Sequence, residues 1–291
     1  MKRSYFDLPP SLTTLENSYI VILPLPYERT TSYIKGAGKG PKALLQASWQ
    51  VELFDEETGK EPYLKGIHSA KPLIFPHKES EPASLRKIGN AVLRYLKLGK
   101  FVVSIGGEHS ITAGIVPVYA ETFNKLSVLQ IDAHPDLRDI YEGSQYNHAC
   151  VGRRILEHAS LVQVGVRAWC AQQEEFIKNY PTQKNRHPLK VFPAHEIRRS
   201  KNWVKKVVDS LSTNVYLTFD LDGLDPSVIP AVGTPEPGGL SWTQTLELLR
   251  TVTYERKIVG MDVVELCPIK GQIIGDFAAA KLIYKILAML V

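Results

Sequence analysis

Long apolar runs are missing from this 291-residue sequence, where no stretch approaches about 18 uninterrupted apolar residues, so no membrane span is expected. Cysteine is scarce as well. Cys150, Cys170 and Cys267 are odd in number and have no C-x-x-C spacing. That argues against a disulfide framework or a thiolate zinc site and for free thiols in a reducing cytoplasm. Charge of one sign is never concentrated: the net charge of +5 includes no run of five basic residues. The densest patch, Arg198–Arg199, Lys201 and Lys205–Lys206, reads as the solvated face of a helix, and no nucleic-acid partner is expected. The start, MKRSYFDLPPSL, has two basic residues with no apolar segment behind them, so no secretory signal is expected. No internal repeat, low-complexity linker or composition shift divides the chain, and one domain over residues 1–291 is the expectation.

What is there is the composition of a chain that buries a core, 44% hydrophobic and 22% charged. Short β-branched runs recur at 19–25 (YIVILPL), 72–76 (PLIFP), 101–107, 126–132, 161–167, 189–194, 215–222 and 258–266. Most are continuous rather than alternating, the pattern of strands covered on both faces. Between them lie segments of helical period. In 84–100, Leu85, Ile88, Val92, Leu93, Leu96 and Leu98 make an apolar stripe, with Gly99 as the stop. Segment 241–255 opens on Ser241 as an N-cap, and 276–290 reads as a C-terminal helix. Strands alternating with helices predict an α/β fold of three αβα layers around a mostly parallel sheet.

Such sheets bind ligands beyond the carboxyl ends of their strands. Four runs end there in charged residues: His109 after FVVSIGGE, Asp132–Asp136 after LSVLQI, Asp220 and Asp222 after VYLTF, and Glu265 after IVGMDVV. Residues at i and i+2 share a face while a strand stays extended. Asp132, His134 and Asp136 can therefore point together, as can Asp220 and Asp222, and His109 makes a sixth candidate ligand. Four carboxylates this close repel unless a strong positive charge lies between them. One divalent ion leaves the set strongly anionic; two, about 3.5–4 Å apart, nearly balance it and form an arrangement that activates water. The oxygen-rich, thiolate-free set suits Mn²⁺ better than zinc, although the affinity series alone favours other metals. Taken singly the pieces are weaker. A histidine after Gly-Gly-Glu is also a common loop cap, and DLDGLD also resembles the DxDG motif of haloacid-dehalogenase-type phosphatases, a reading that leaves DAHPD unexplained. A calcium loop is excluded, because the glycine sits one position early and no glutamate closes twelve residues.

Together the motifs resemble those of the ureohydrolase family, the arginases, agmatinases and relatives. GGEHS (106–110), DAHPDLRD (132–139), NHAC (147–150), FDLDGLDPS (219–227) running into GTPEPGGL (233–240), and DVVELCP (262–268) occur in the family's order. SYIKGAGKGPKAL (32–44) resembles its early Gly-rich stretch, so the likeness spans nearly the whole chain. The resemblance implies an arginase/deacetylase-like fold and two Mn²⁺ per subunit. His109, Asp132, Asp136 and Asp220 would hold one ion, and Asp132, His134, Asp220 and Asp222 the other. It implies that water attacks a guanidinium carbon to release urea and an amine, with His148 as proton shuttle and Glu265 as the guanidinium-binding carboxylate. It also implies a cytoplasmic homo-oligomer, trimer or hexamer. A non-catalytic relative acting as a scaffold is the opposing case, but such proteins usually lose ligands, and all six are present here.

The substrate expected is a small cationic guanidino compound. Arg138 stands where arginases keep an asparagine for the α-carboxylate, and AWCAQQ (168–173) lacks their acidic reader of the α-amino group, so arginine is disfavoured. Agmatine is the first expectation and N1-aminopropylagmatine the second, followed by guanidinobutyrate and formiminoglutamate. Ala149 replaces the glycine that many relatives have after the shuttle histidine.

Overall fold

The computed structural model describes residues 4–180 and 187–291. Among them, eight strands form one sheet: β1 (Ile20–Leu25), β2 (Ile67–Ser69), β3 (Phe101–Gly106), β4 (Leu126–Ile131), β5 (Ser160–Val166), β6 (Leu189–Pro193), β7 (Asn214–Asp220) and β8 (Lys257–Val264). Their order is β2-β1-β3-β8-β7-β4-β5-β6, and every neighbouring pair is parallel. β1, β3 and β4 are buried at every position, which is why their sequences are unbroken apolar runs.

Helices cover both faces. α1 (Gly40–Ser48), α7 (Trp203–Asp209), α8 (Trp242–Glu255) and α9 (Ile274–Leu290) close one core with Ile22, Val103, Leu217 and Met261. α2 (Glu81–Leu96), α3 (Thr112–Thr122), α4 (Val151–Ile155) and α5 (Ala171–Asn179) lie over the other, around Val21, Val102, Val128 and Tyr216. Three αβα layers are therefore present, as the alternation of runs requires. The N-cap expected at Ser241 is there: its hydroxyl accepts from Gln244 N–H at 3.2 Å, and Gln244 Oε1 accepts from Ser241 N–H at 3.0 Å. Gly99 closes the turn after α2 at φ +69°, a left-handed conformation glycine adopts without strain. No helix among the described residues is long and apolar enough to cross a membrane.

Two expectations are corrected. PLIFP (72–76) is not a strand; the edge strand is Ile67–Ser69. Pro72 and Pro76 bracket the run and cannot donate to a ladder, so burial of its few apolar groups does not make it extend the sheet. The basic patch is not one helix face either. Arg198 and Arg199 sit in the exposed turn after α6 (Ala194–Ile197), and only Lys205 and Lys206 ride on α7.

The order of the sheet decides where the strand ends meet. β3, β8, β7 and β4 are consecutive neighbours, and their registers run in step: Ile105 pairs with Val263, Val263 with Phe219, and Phe219 with Ile131. The chain thus leaves four adjacent strands at the same level, along one rim.

Candidate metal centre

After β3 the chain turns through Gly107, where a side chain would strike the Tyr27 carbonyl, into the buried pair Glu108 and His109. His109 Nδ1 stands 3.2 Å from one oxygen each of Asp132, Asp136 and Asp220. Its Nε2 is 2.9 Å from Thr218 Oγ1, and Thr218 donates in turn to Asp262 Oδ1 at 2.6 Å. Asp262 also accepts from Tyr216 and Thr112, at 2.7 and 2.9 Å. A threonine hydroxyl has a single proton; with that proton on Asp262, Thr218 accepts from the imidazole, so Nε2 carries the hydrogen. Nδ1 is then the free nitrogen, and it is buried without a hydrogen-bond partner while three carboxylate oxygens lie equally near. An orphaned nitrogen at the apex of three carboxylates fits a cation held among them, with Thr218 and Asp262 orienting the ring from behind.

Asp132 is shared. One of its oxygens faces His109 and accepts from Gln130 Nε2 at 2.6 Å; the other accepts from His134 N–H at 2.6 Å. His134 Nδ1 lies 3.0 Å from Asp222 and 3.7 Å from Asp132. Asp222 Oδ1 accepts from Ala133 N–H at 3.0 Å, and Asp222 N–H donates to Asp220 Oδ1 at 2.9 Å, so the ends of β4 and β7 are laced together. Two groups, His109–Asp132–Asp220 and Asp132–His134–Asp222, each bring their ligand atoms within 4.8 Å of one another. Asp136 reaches the first only because its backbone is left-handed, at φ +50° directly after Pro135. Arg167 braces the cluster from outside, donating to the Asp222, Leu224 and Glu236 carbonyls at 2.6, 3.3 and 2.7 Å.

Electrostatics show how much positive charge the cluster calls for. Burial opposes charge on His134, but Asp222 and Asp132 outweigh it and push the imidazole up to about 12. Burial, then repulsion from Asp222 and Asp132, raises Asp220 well above the carboxylate range. Burial works against Asp132 too, yet the imidazoles of His109 and His134 beside it hold it below that range.

Over this floor opens a cavity of about 350 Å³. Its lining includes His109, His134, Asp136, Asp220, Asp222, His148 and Glu265, with Tyr33, Tyr141 and Trp169 farther out; Asp132 lies fully buried beneath. His148 begins a short turn capped by Asn147, whose Oδ1 accepts from Ala149 N–H at 3.0 Å. Glu265 follows β8 at φ +66° and accepts from His109 N–H at 2.6 Å. Burial, then Glu108, raises its carboxyl well above the usual range. The structure thus brings all eight residues singled out in the sequence to one place. Thr30, Glu108, Gln130, Gln163, Arg167, Thr218 and Asp262 were not singled out. Four of them carry a signal, because Gln130, Gln163, Thr218 and Asp262 are polar letters inside otherwise apolar strands.

The arginase family model matches residues 18–289 of this chain. The chain belongs to the arginase family. An N(1)-aminopropylagmatine ureohydrolase of Synechocystis sp. is 40% identical over 95% of this chain and 90% of its own length. The agmatinase of Pyrococcus horikoshii is 30% identical over 98% and 96%. Among solved structures, the agmatine ureohydrolase of Thermoplasma volcanium superposes with a TM-score of 0.86 at 27% identity, over all of this chain and 94% of that one. The three-layer fold and the resemblance read from the motifs both hold: this is an arginase-family ureohydrolase with a candidate binuclear site of histidines and aspartates.

Proposed function

We propose that this arginase-family chain is a binuclear manganese ureohydrolase acting on an aminoalkyl guanidine, with N1-aminopropylagmatine, giving spermidine and urea, ahead of agmatine, giving putrescine and urea. The observation that carries the class is the cavity floor, where an unpartnered buried imidazole nitrogen faces three carboxylates. His109, Asp132, Asp136 and Asp220 would hold one ion; Asp132, His134, Asp220 and Asp222 the other. Six donors of oxygen and imidazole nitrogen, without a thiolate, suit Mn²⁺. Bound there, the metal pair supplies the Lewis acidity that brings the pKa of a water toward neutrality.

The remaining steps belong to the chain. Glu265 offers a planar carboxylate to the guanidinium fork, and a cation opposite it favours the charged form that burial and Glu108 oppose. His148, at the cavity wall, delivers a proton to the departing amine.

The order of substrates rests on two facts. The aminopropylagmatine relative is the more similar, 40% against 30% for the agmatinase. The mouth of the cavity, moreover, presents aromatic faces rather than carboxylates: every acid in its lining, Asp136, Asp220, Asp222 and Glu265, stands at the floor. Tyr141 is already covered by the Arg138 guanidinium at 4.5 Å, whereas the Trp169 ring is oriented by its N–H bond to Glu174 at 2.7 Å. An indole face accepts the terminal ammonium that the longer tail carries beyond the point where agmatine ends. The chain is read as one ureohydrolase domain, working in the cytoplasm as a homo-oligomer, trimer or hexamer. Urea release by the Mn²⁺-loaded protein from N1-aminopropylagmatine, agmatine and arginine at matched concentrations is the test. A higher kcat/KM for the aminopropyl compound is expected; a higher value for agmatine moves the assignment to agmatinase, and no urea from any of them sinks the reading.

A further inference from the structure

Glu108 has no part in the ligand set, yet it is fully buried one residue before His109. Its Oε2 accepts from the backbone N–H groups of Arg29 and Thr30, both at 2.6 Å. Its Oε1 accepts from Ser110 Oγ at 2.5 Å and from Thr30 Oγ1 at 2.8 Å. Thr30 Oγ1 then meets His148 twice: it accepts from His148 N–H at 3.0 Å and lies 3.2 Å from His148 Nδ1.

The hydroxyl of Thr30 has one proton and two competing acceptors, a buried carboxylate oxygen at 2.8 Å and an imidazole nitrogen at 3.2 Å. The charged acceptor is nearer and the stronger partner, so the proton goes to Glu108. Thr30 can then offer His148 only lone pairs, and Nδ1 must carry the hydrogen. We infer that Thr30, itself held by Glu108, is a positioning residue that fixes His148 as its Nδ1–H tautomer, leaving the lone pair on Nε2 for proton exchange with the cavity. The inference rests on the proposed role of His148 as shuttle. Three successive residues of GGEHS thereby do separate jobs: Glu108 sets the shuttle's tautomer through Thr30, His109 faces the carboxylates, and Ser110 completes the shell of Glu108. The loop YERTT, which carries no chemistry of its own, is tied to the turn 148–150 that comes 118 residues later than Thr30.

The decisive measurement is the ¹⁵N spectrum of histidine-labelled protein loaded with diamagnetic Zn²⁺, with the His148 signals assigned from the His148→Asn spectrum. A protonated Nδ1 and an unprotonated Nε2 are expected at about pH 8, above the ordinary histidine range; the opposite tautomer in the wild-type protein overturns the inference, whatever the variants do. Thr30→Val should lower kcat about 10- to 100-fold, part of the range for a positioned acid–base group. KM and bound Mn²⁺ should stay unchanged, and His148 should relax toward a mixture of tautomers. Thr30→Ser should recover most of the loss. A Thr30→Val protein with wild-type kcat, or one whose loss of activity matches a loss of metal, overturns it. His148→Asn separates the two levels: if it turns over normally the shuttle reading itself fails, and if it is slow while Thr30→Val is not, only the present inference fails.

Discussion

At the floor of the cavity His109 is 1% exposed, and Asp132 is gripped by Gln130 behind and His134 N–H in front. Gln130 is held in turn by Gln163, which donates to it at 2.9 Å. At the mouth Tyr33 is 72% exposed, and Trp169 is set by its N–H bond to Glu174. The floor is tightly braced, with Asp132, Asp220 and Asp222 each accepting from a backbone N–H of the strand ends; the mouth is not. Chemistry is thus written where change is expensive and substrate length where change is cheap, which fits a fold whose relatives share the reaction but bear different substrate names.

Substitutions at the two levels should separate cleanly. Asp132→Ala removes a carboxylate that both proposed ligand sets share, and should strip metal and lower kcat/KM by about 10³-fold or more, since metal assistance supplies several kcal/mol. Elemental analysis of the dialysed variant checks it; retention of two metals per chain would break the reading of the floor. Thr218→Val leaves all ligands in place but removes the hydroxyl between His109 and Asp262. It should weaken Mn²⁺ binding about 10- to 100-fold without changing KM for the aminoalkyl substrate, as seen by metal titration and kinetics at saturating Mn²⁺.

Acidity gives a third contrast. In the metal-free protein His134 is raised to about 12, so the stability its proton contributes is complete below its ordinary value near 6.5. That stability is lost as pH climbs from there through about 12. Metal binding runs the other way, because the ligand is the deprotonated ring: Mn²⁺ affinity should rise about tenfold per pH unit, between about pH 7 and 9, for each proton displaced. Calorimetry in this range, in buffers of different ionisation heat, should register proton release, and its absence would take His134 out of the ligand set. The smallest effect is expected at the mouth. Trp169→Ala should shift the preference between N1-aminopropylagmatine and agmatine a few-fold, about the worth of one cation–π contact, with metal content unchanged.

How much of this could be read from the sequence depends on whether a residue acts through its own strand or through a neighbouring one. The acids and imidazoles at the ends of 101–107, 126–132, 215–222 and 258–266 announce themselves in short motifs, because parallel strands must release their ligands at one rim. Thr218 and Asp262 could be seen as polar letters in buried strands, but their partnership with His109 exists only because β7 lies beside β8 and β8 beside β3. Non-consecutive pairing of this kind leaves no local trace. The same holds for Thr30, whose loop gives no hint that it reaches His148. PLIFP misleads for the opposite reason: its composition suits a strand, but its bracketing prolines do not.

The backbone at 265 suits a glycine, yet the position carries a glutamate whose charge is opposed by burial and by Glu108. The residue that completes the pocket is therefore one the folded chain would be better without. Selection of variants for heat resistance alone should drift toward Glu265→Gln, silencing the enzyme as it hardens it, and selection for turnover should bring the carboxylate back.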